Sequence, residues 1–486
     1  MKSIFTILLI LVVFTAKAQF AGGAGTAADP YQISNRAQLE ALGGFLGADN
    51  IDKHFLLTAD IDLGGDKWTP LAIIKSNPFC GKLHGAGHKI KNLLIEEEFP
   101  TSSMLDYVGL FGVLGGGVSV DDLHFEGVIT ISAGASIYAG SLAGYINPDN
   151  AESINIVKCS SSVLITCSTS GSAASNFVGG IIGFAELHGN NLTISKCANT
   201  GNISGTGSMV GGIVGRVFTS TNGAVLISDC YNNAEISSTK ASGDTWMGGI
   251  VGTPYQGDAT SAPITIEKCF ATGKVEANAA NTSSRVGGIV GRIYDISGSV
   301  NPITISNSVG AQESVSSGGT STTAANRIYA SHSSGGNYSI TNNYGYVGMV
   351  VLRSGASATI TSSATGAGGL NKTLAELKSR STYTGLGWDF TNIWQIEEGL
   401  SFPTLKGVGG STGIKTAPVV NTLKASASNG ILRITGLVAG ETLRVYTLQG
   451  VNIWSRTVKS LEQNIPVQGH GIYIVVAGEK HVKVVF

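Results

Sequence analysis

Apolar residues in this chain recur in pairs two positions apart, with a cysteine three residues after each pair. The sets are Ile154/Ile156/Cys159, Leu192/Ile194/Cys197, Val225/Ile227/Cys230 and Ile264/Ile266/Cys269. Two further sets, Ile303/Ile305/Ser308 and Tyr338/Ile340/Asn343, replace the cysteine. Two-residue spacing is the strand period and puts both side chains on one face. A third piece follows the cysteine, as in Thr200–Ile203, Asn233–Ile236 and Thr272–Val275. Beside these runs a glycine pattern, VGGIVG at Val210–Gly215 and Val286–Gly291, with close variants at Val178–Gly183, Met247–Gly252, Ala139–Gly144 and Val108–Gly112. Aligned on Gly109, Ser141, Gly180, Gly212, Gly249 and Gly288, the steps are 32, 39, 32, 37 and 39 residues. Such a period marks a repeat array whose units bury apolar surface by stacking.

No unit has room for a dozen-residue helix between strands, which excludes a crossover α/β sheet. Strands of successive units then pair in parallel, giving a β-solenoid with turns about 4.8 Å apart. The Ile/Val pairs are expected to point inward. The glycines are expected at a corner, serving positive-φ bends or close backbone approach. Ile213, Ile250 and Ile289 would lie on one face and Val214, Val251 and Val290 on the other, with one column inside the coil and the other outside.

The flanking segments divide the rest. Residues 1–18 read as a signal peptide: Lys2, the apolar run Ile4–Thr15 and the Ala16-Lys17-Ala18 cleavage site. Residues 19–105 are the opening part of the solenoid, with a short helix over Ser34–Leu42 whose Ala37, Leu39 and Leu42 face an end of the stack. Residues 106–345 are the array. Residues 346–406 close it, with a capping box at Thr373 and Glu376 and a helix and tryptophans expected to cover the last edge. Residues 407–418 form a flexible linker, and residues 419–486 alternate as a small antiparallel sandwich.

Composition narrows the function. Charged residues are 13% of the chain, against about 25% in ordinary globular domains, and 67 of 486 residues are Gly. Net charge is −1. Nothing basic enough to grip nucleic acid is present, and no apolar stretch reaches transmembrane length. The cysteines lack the C-x-x-C pairing of a zinc site. They read as a buried small-apolar column, with disulfide pairing left open and with Cys80 and Cys167 lacking a clear partner. Asp60, Asp62 and Asp66 offer three carboxylates in seven residues for Ca²⁺, against the simpler reading that they face solvent. His84 and His88 flank a turn, and no H-E-x-x-H or G-x-S-x-G occurs. Loop aromatics, namely Tyr107, Tyr138, Phe218, Trp246, Tyr255 and Tyr294, are candidates for stacking on sugar rings or for packing over the coil edge. No cofactor is implied.

The repeats resemble the GLUG motif of bacterial surface and adhesin-like proteins and of the non-catalytic part of immunoglobulin A-cleaving metallopeptidases. The opening Asp29–Ile33, Leu57–Leu63, Trp68–Leu71 and Phe79–His88, and the closing Gly387–Phe390 with Phe402–Leu405, resemble the usual flanks of such arrays. The resemblance covers roughly residues 25–406 and implies a right-handed parallel β-helix at a cell surface. The tail resembles the sorting domain of type IX secretion substrates in Bacteroidota, through Val445–Gly450 and Gly471–Val476; the Pro-Asn-Pro opening common there is absent.

The expectation is an all-β, exported or surface-displayed binding protein that contacts a glycan or protein ligand along the coil. Residues 419–486 would serve outer-surface attachment. A polysaccharide lyase or hydrolase is the alternative, with Arg216, Arg285 and Arg292 as candidate bases and few acids beside them. A structural stalk is the third reading.

Overall fold

A computed structural model of the chain describes residues 19–408 and 423–485, apart from 100–105, 149, 171–174, 297 and the turns at 429, 436, 438–441, 448–450, 459–461, 468–470 and 478–479. The expected signal peptide and most of the expected linker lie outside the described residues. The chain divides into two units, Met1–Thr412 and Gly413–Phe486.

The first unit is a parallel β-solenoid. Each turn between Ile154 and His332 carries five short strands on four faces, where the sequence suggested three pieces. In one turn, Asn191–Ser195 lies on face one, Ala198–Asn199 and Ile203–Gly205 on face two, Met209–Gly211 on face three and Val214–Thr219 on face four; Ala224–Ser228 begins the next turn. Face one is a ten-stranded sheet and faces three and four are seven-stranded. The opening segment already belongs to the coil, since Tyr31–Ile33, His54–Leu57 and Lys82–His84 are the first strands of face one.

Register follows the apolar pattern. Ile156 pairs with Ile194, Ile194 with Ile227, Ile227 with Ile266 and Ile266 with Ile305. All five are buried. One corner, between faces one and two, is left-handed in every turn. Lys158, Lys196, Asp229, Lys268, Asn307 and Asn342 hold φ of 60°, 55°, 52°, 51°, 51° and 55°. Asn and Asp accept this conformation, whereas Lys does so only against strain. The corner turns the next residue inward, and that residue is the cysteine. Cys197 Sγ lies 3.3 Å from the Ser195 carbonyl oxygen and 3.6 Å from that of Ile156 in the turn before. All six cysteines are buried and none is in a disulfide among the described residues. Burial pushes the Cys167 thiol up to about 12, away from the reactive thiolate.

Of the two roles expected of the corner glycines, close backbone approach is the one found, whereas the expected split of the two following columns is not. Gly212, Gly249 and Gly288 are absent from the positive-φ positions. Space is what they supply: a Cβ on Gly212 would strike the Gly249 carbonyl and come 2.4 Å or so from Asn232 Cγ, a side chain reaching across the coil from face two. Asn199 and Asn232 are buried there and bond one another at 3.0 Å. Ile213, Ile250 and Ile289 and their successors Val214, Val251 and Val290 are all buried in the one core. The chain bends between faces three and four, so strand alternation is interrupted and two consecutive side chains point inward.

The ends are closed separately. Phe20, Tyr31, Phe45 and Phe55 cluster at the first turn, with Phe20 and Tyr31 stacked at 4.7 Å. The opening helix spans Arg36–Glu40 with Asn35 as its cap; Leu39 and Leu42 are buried, while Ala37 is exposed, contrary to expectation. At the other end Leu370–Lys372 pairs in parallel with Tyr344–Tyr346 of the last turn. Arg327, next in the Gly249–Gly288 column, is buried and donates to the carbonyls of Gly368, Tyr346 and Gly369 and to Asn371 Oδ1. The Thr373–Glu376 capping box forms as expected, on the helix Leu374–Leu377. The helices and tryptophans do not cover the last edge. They run back along the outer side of face two, where Tyr383, Trp388, Trp394 and Leu405 join Ala198, Tyr231, Phe270 and Val309 in one cluster.

The second unit is a sandwich of a three-stranded and a four-stranded antiparallel sheet. Its core takes Leu432, Ile434 and Ile465 from one sheet and Leu443, Val445, Tyr473 and Val475 from the other.

Candidate functional site

The outer sides of faces three and four fold toward each other. Two glycines of the VGGIVG motif allow this: a Cβ on Gly211 would lie 2.7 Å from Gly252 N, and one on Gly252 would lie 2.7 Å from Val210 N. Outward positions on face three form the column Tyr107, Tyr138, Phe177, Met209, Trp246, Arg285. On face four the column is Val113, Tyr145, Phe184, Arg216, Thr253 and then, two turns beyond Arg216, Arg292 beside Ser331. Phe218, Tyr255 and Tyr294 follow two residues further along face four.

The two columns meet in an elbow. Tyr107 stacks on Tyr145 at 5.1 Å, Phe177 lies 5.1 Å from Phe184, and Trp246 stacks on Tyr294 at 5.9 Å. Tyr255 and Tyr294 stack at 4.2 Å with rings nearly parallel. Guanidinium groups interleave with the rings: Arg216 lies 4.4 Å from Tyr255 and 5.1 Å from Phe184, and Arg292 lies 4.7 Å from Trp246 and 5.1 Å from Tyr294. A cation over an aromatic face is attracted by the ring quadrupole. Burial raises the Tyr107 hydroxyl to about 12 and lowers the Arg216 guanidinium.

Polar satisfaction is uneven along the elbow. At its start, Lys75 Nζ donates to Tyr145 Oη at 3.3 Å, and Tyr145 Oη also bonds Glu186. Further on, Arg216 Nε, Trp246 Nε1, Arg292 Nε and Ser331 Oγ are buried without a hydrogen-bond partner among the described residues. No carboxylate lies within ion-pair distance of Arg216, Arg285 or Arg292 among those residues. A buried donor without an acceptor is costly, so such groups point to an unmet partner.

Sequence reading found Tyr107, Tyr138, Phe218, Trp246, Tyr255 and Tyr294 but placed them on loops. They stand on or beside strands, and Trp246 is only 5% exposed. Their rings pack on one another, and all but Trp246 remain part-exposed. Tyr145, Phe177 and Phe184 were missed. The signal was available for two of them: the residue after the last glycine of each motif is Tyr145, Phe184, Arg216, Thr253 or Arg292.

The structure does not gather the three aspartates. Asp60 binds Lys91 Nζ at 2.6 Å and His88 at 3.3 Å; Asp62 accepts from Asn92 and the Gly64 amide; Asp66 lies 3.9 Å from Arg36. Lys91 beside Asp60 holds its carboxyl down at about 2. Among the described residues no group of three or more His, Cys, Asp or Glu is placed to hold a metal ion.

No protein-family model matches the chain. It is 36% identical over 131 residues to a "Putative Gly-rich membrane protein" of Evansella cellulosilytica, covering 26% of this chain and 14% of that protein. It is 30% identical over 190 residues to "Halomucin" of Haloquadratum walsbyi, covering 37% of this chain and 2% of that protein. The chain thus matches only a small part of either relative. Among solved structures, one described as a "putative immunoglobulin A1 protease" from Bacteroides ovatus matches with a TM-score of 0.51 and 22% identity, over 80% of this chain and 96% of that one. That likeness establishes the solenoid fold and carries no activity with it.

Proposed function

We propose that the chain is a secreted or cell-surface binding protein, adhesin-like, that takes a glycan or protein ligand on the outer elbow of faces three and four. The observation that carries this reading is the set of buried, unpartnered donors at Arg216, Trp246 and Arg292 within an aromatic seam. The Arg216 and Arg292 side chains are themselves part-exposed, so a ligand along the seam would meet their guanidinium groups there. A surface location is supported by relatives named as a membrane protein and as a halomucin. Residues 419–486, an independent sandwich, would serve for attachment.

The binding reading is favoured over a lyase, because a lyase base works beside carboxylates that hold a cation, and the described residues set none against Arg292. The test is a glycan and host-matrix array probed with the full chain and with Tyr255→Ala. Ligand capture by the wild type, reduced in the variant, is expected. Capture unchanged by Tyr255→Ala would move recognition off the elbow, and no capture at all would sink the reading.

A further inference from the structure

Resting on that reading, we infer that the elbow takes an extended acidic polysaccharide, laid along the coil axis, with a carboxylate on every second sugar. Three observations lead there. First, charge: Arg216 and Arg292 lie over aromatic rings with no carboxylate within ion-pair distance among the described residues; the nearest acid, Glu186, bonds Tyr145 instead. A planar guanidinium binds carboxylate through two parallel N–H donors, and the stacked rings hold that plane fixed.

Second, spacing: Arg216 aligns with Thr253 on the next turn, and Arg292, with Arg285 on the same turn of face three, stands one turn beyond, so the cationic turns sit two apart. That is about 10 Å, twice the strand spacing. An extended pyranose chain advances about one turn per sugar, so acid groups on alternate residues meet both arginines. A phosphodiester polymer carries charge on every residue and asks for a continuous basic stripe. This face has an uncharged turn, Trp246 with Thr253 and Tyr255, between its cations.

Third, the platform between the cations is built for hydroxyls. Tyr255 and Tyr294 stack face to face at 4.2 Å and are both part-exposed, so each shields a ring face of the other and leaves polar groups at the rim. Trp246 and Ser331 lie buried beneath this surface, with the Arg292 guanidinium over the indole. Recognition here works by hydrogen bonding to a polyhydroxylated chain, with little room for sugar stacking on ring faces.

The experiment measures binding of the full chain to three polymers of matched length. They are a polymer alternating uronate with a neutral sugar, the same polymer with its carboxyls reduced to alcohols, and poly-glutamate. The expected order is strongest for the uronate polymer, with affinity at least about tenfold lower for the other two. Its affinity falls as salt rises. Arg216→Gln and Arg292→Gln each lower it by about tenfold or more at unchanged thermal midpoint. Equal affinity for the carboxyl-reduced polymer would overturn the acidic inference while leaving the binding reading intact. Equal affinity for poly-glutamate would overturn the polysaccharide. Binding to none of the three, with capture of another ligand on the array, overturns the inference alone; binding to nothing on either overturns both. If Arg216→Gln unfolds, Arg292→Gln decides, together with the ligand-induced change in tryptophan emission, which Trp246→Phe is expected to abolish. Persistence of that emission change in Trp246→Phe would overturn the placement.

Discussion

Two aromatic clusters lie on the outside of the same coil, and they differ in what completes them. On face two, Ala198, Tyr231, Phe270 and Val309 are covered by the chain's own closing segment. There each indole finds a partner: Trp388 donates to the Asn307 carbonyl at 2.9 Å and Trp394 to Asp229 Oδ1 at 3.0 Å. On faces three and four, Tyr255, Tyr294 and Arg292 stay part-exposed, and the buried Trp246 has an N–H without a partner among the described residues. The first cluster is fold; its polar groups were satisfied when the chain closed. The second buries apolar surface within itself but leaves its donors open. Aromatic content alone would not separate the two, whereas hydrogen-bond satisfaction does.

The contrast can be broken most sharply on the covered side. Trp394→Ala removes a fully buried ring between Trp388 and Asp229 and is expected to destabilise the solenoid by about 3–5 kcal/mol, read by denaturant unfolding. A loss below 1 kcal/mol or so would mean the closing segment is loosely held. Next comes the hinge of the elbow. A side chain at Gly249 would strike the Gly288 carbonyl and come within 2.7 Å of Ala271 Cβ, so Gly249→Val should cost about 3 kcal/mol. Ser141, which already carries a side chain bonded to the Gly180 carbonyl at 2.6 Å, should accept Ala with a loss of about 1 kcal/mol. Equal losses at both positions would refute the packing argument.

The indole comparison is subtler. Trp394→Phe leaves a ring but deprives a buried carboxylate of its donor, for a loss of about 1.5–3 kcal/mol. Trp246→Phe removes an N–H that bonds nothing among the described residues, so only the trimming of a buried ring counts and the loss should be about 1 kcal/mol. Similar losses in both would show that Trp246 has an acceptor within the fold.

The smallest effect concerns pH. Burial holds the Asp229 carboxyl above its ordinary value, despite the Trp394 N–H that favours its ionised form. The folded state therefore binds this proton more tightly than the unfolded one. Stability from this group is present at low pH and is lost as pH rises from the ordinary carboxylate range through the raised value. Asp229→Asn keeps the acceptor and suits the left-handed corner, where Asn307 and Asn342 already stand. Its unfolding midpoint should exceed wild type at neutral pH and converge with it in acid. A lower midpoint at neutral pH would show that the charged bond to Trp394 outweighs burial.

Much of this architecture was written locally. The two-residue spacing of Ile154/Ile156 and its repeats determined strands, inward faces and parallel stacking, because alternation and period are properties of consecutive residues. The Thr373–Glu376 box and the alternation in Leu443–Tyr446 were legible for the same reason. The left-handed corner was not, since Lys158, Lys196 and Lys268 carry no local preference for positive φ; the stacked turns impose it. Nor was the burial of both Ile250 and Val251, which depends on where the coil bends. Sequence marked Gly212 as special, but only the tertiary structure shows that Asn232, across the coil, is what needs the space. It likewise decided that Trp388 and Trp394 lie along a flank and Trp246 in the elbow of faces three and four. Three tryptophans of one residue type differ there only in which distant segment comes to rest beside them, and contacts between segments are set by the path of the whole chain.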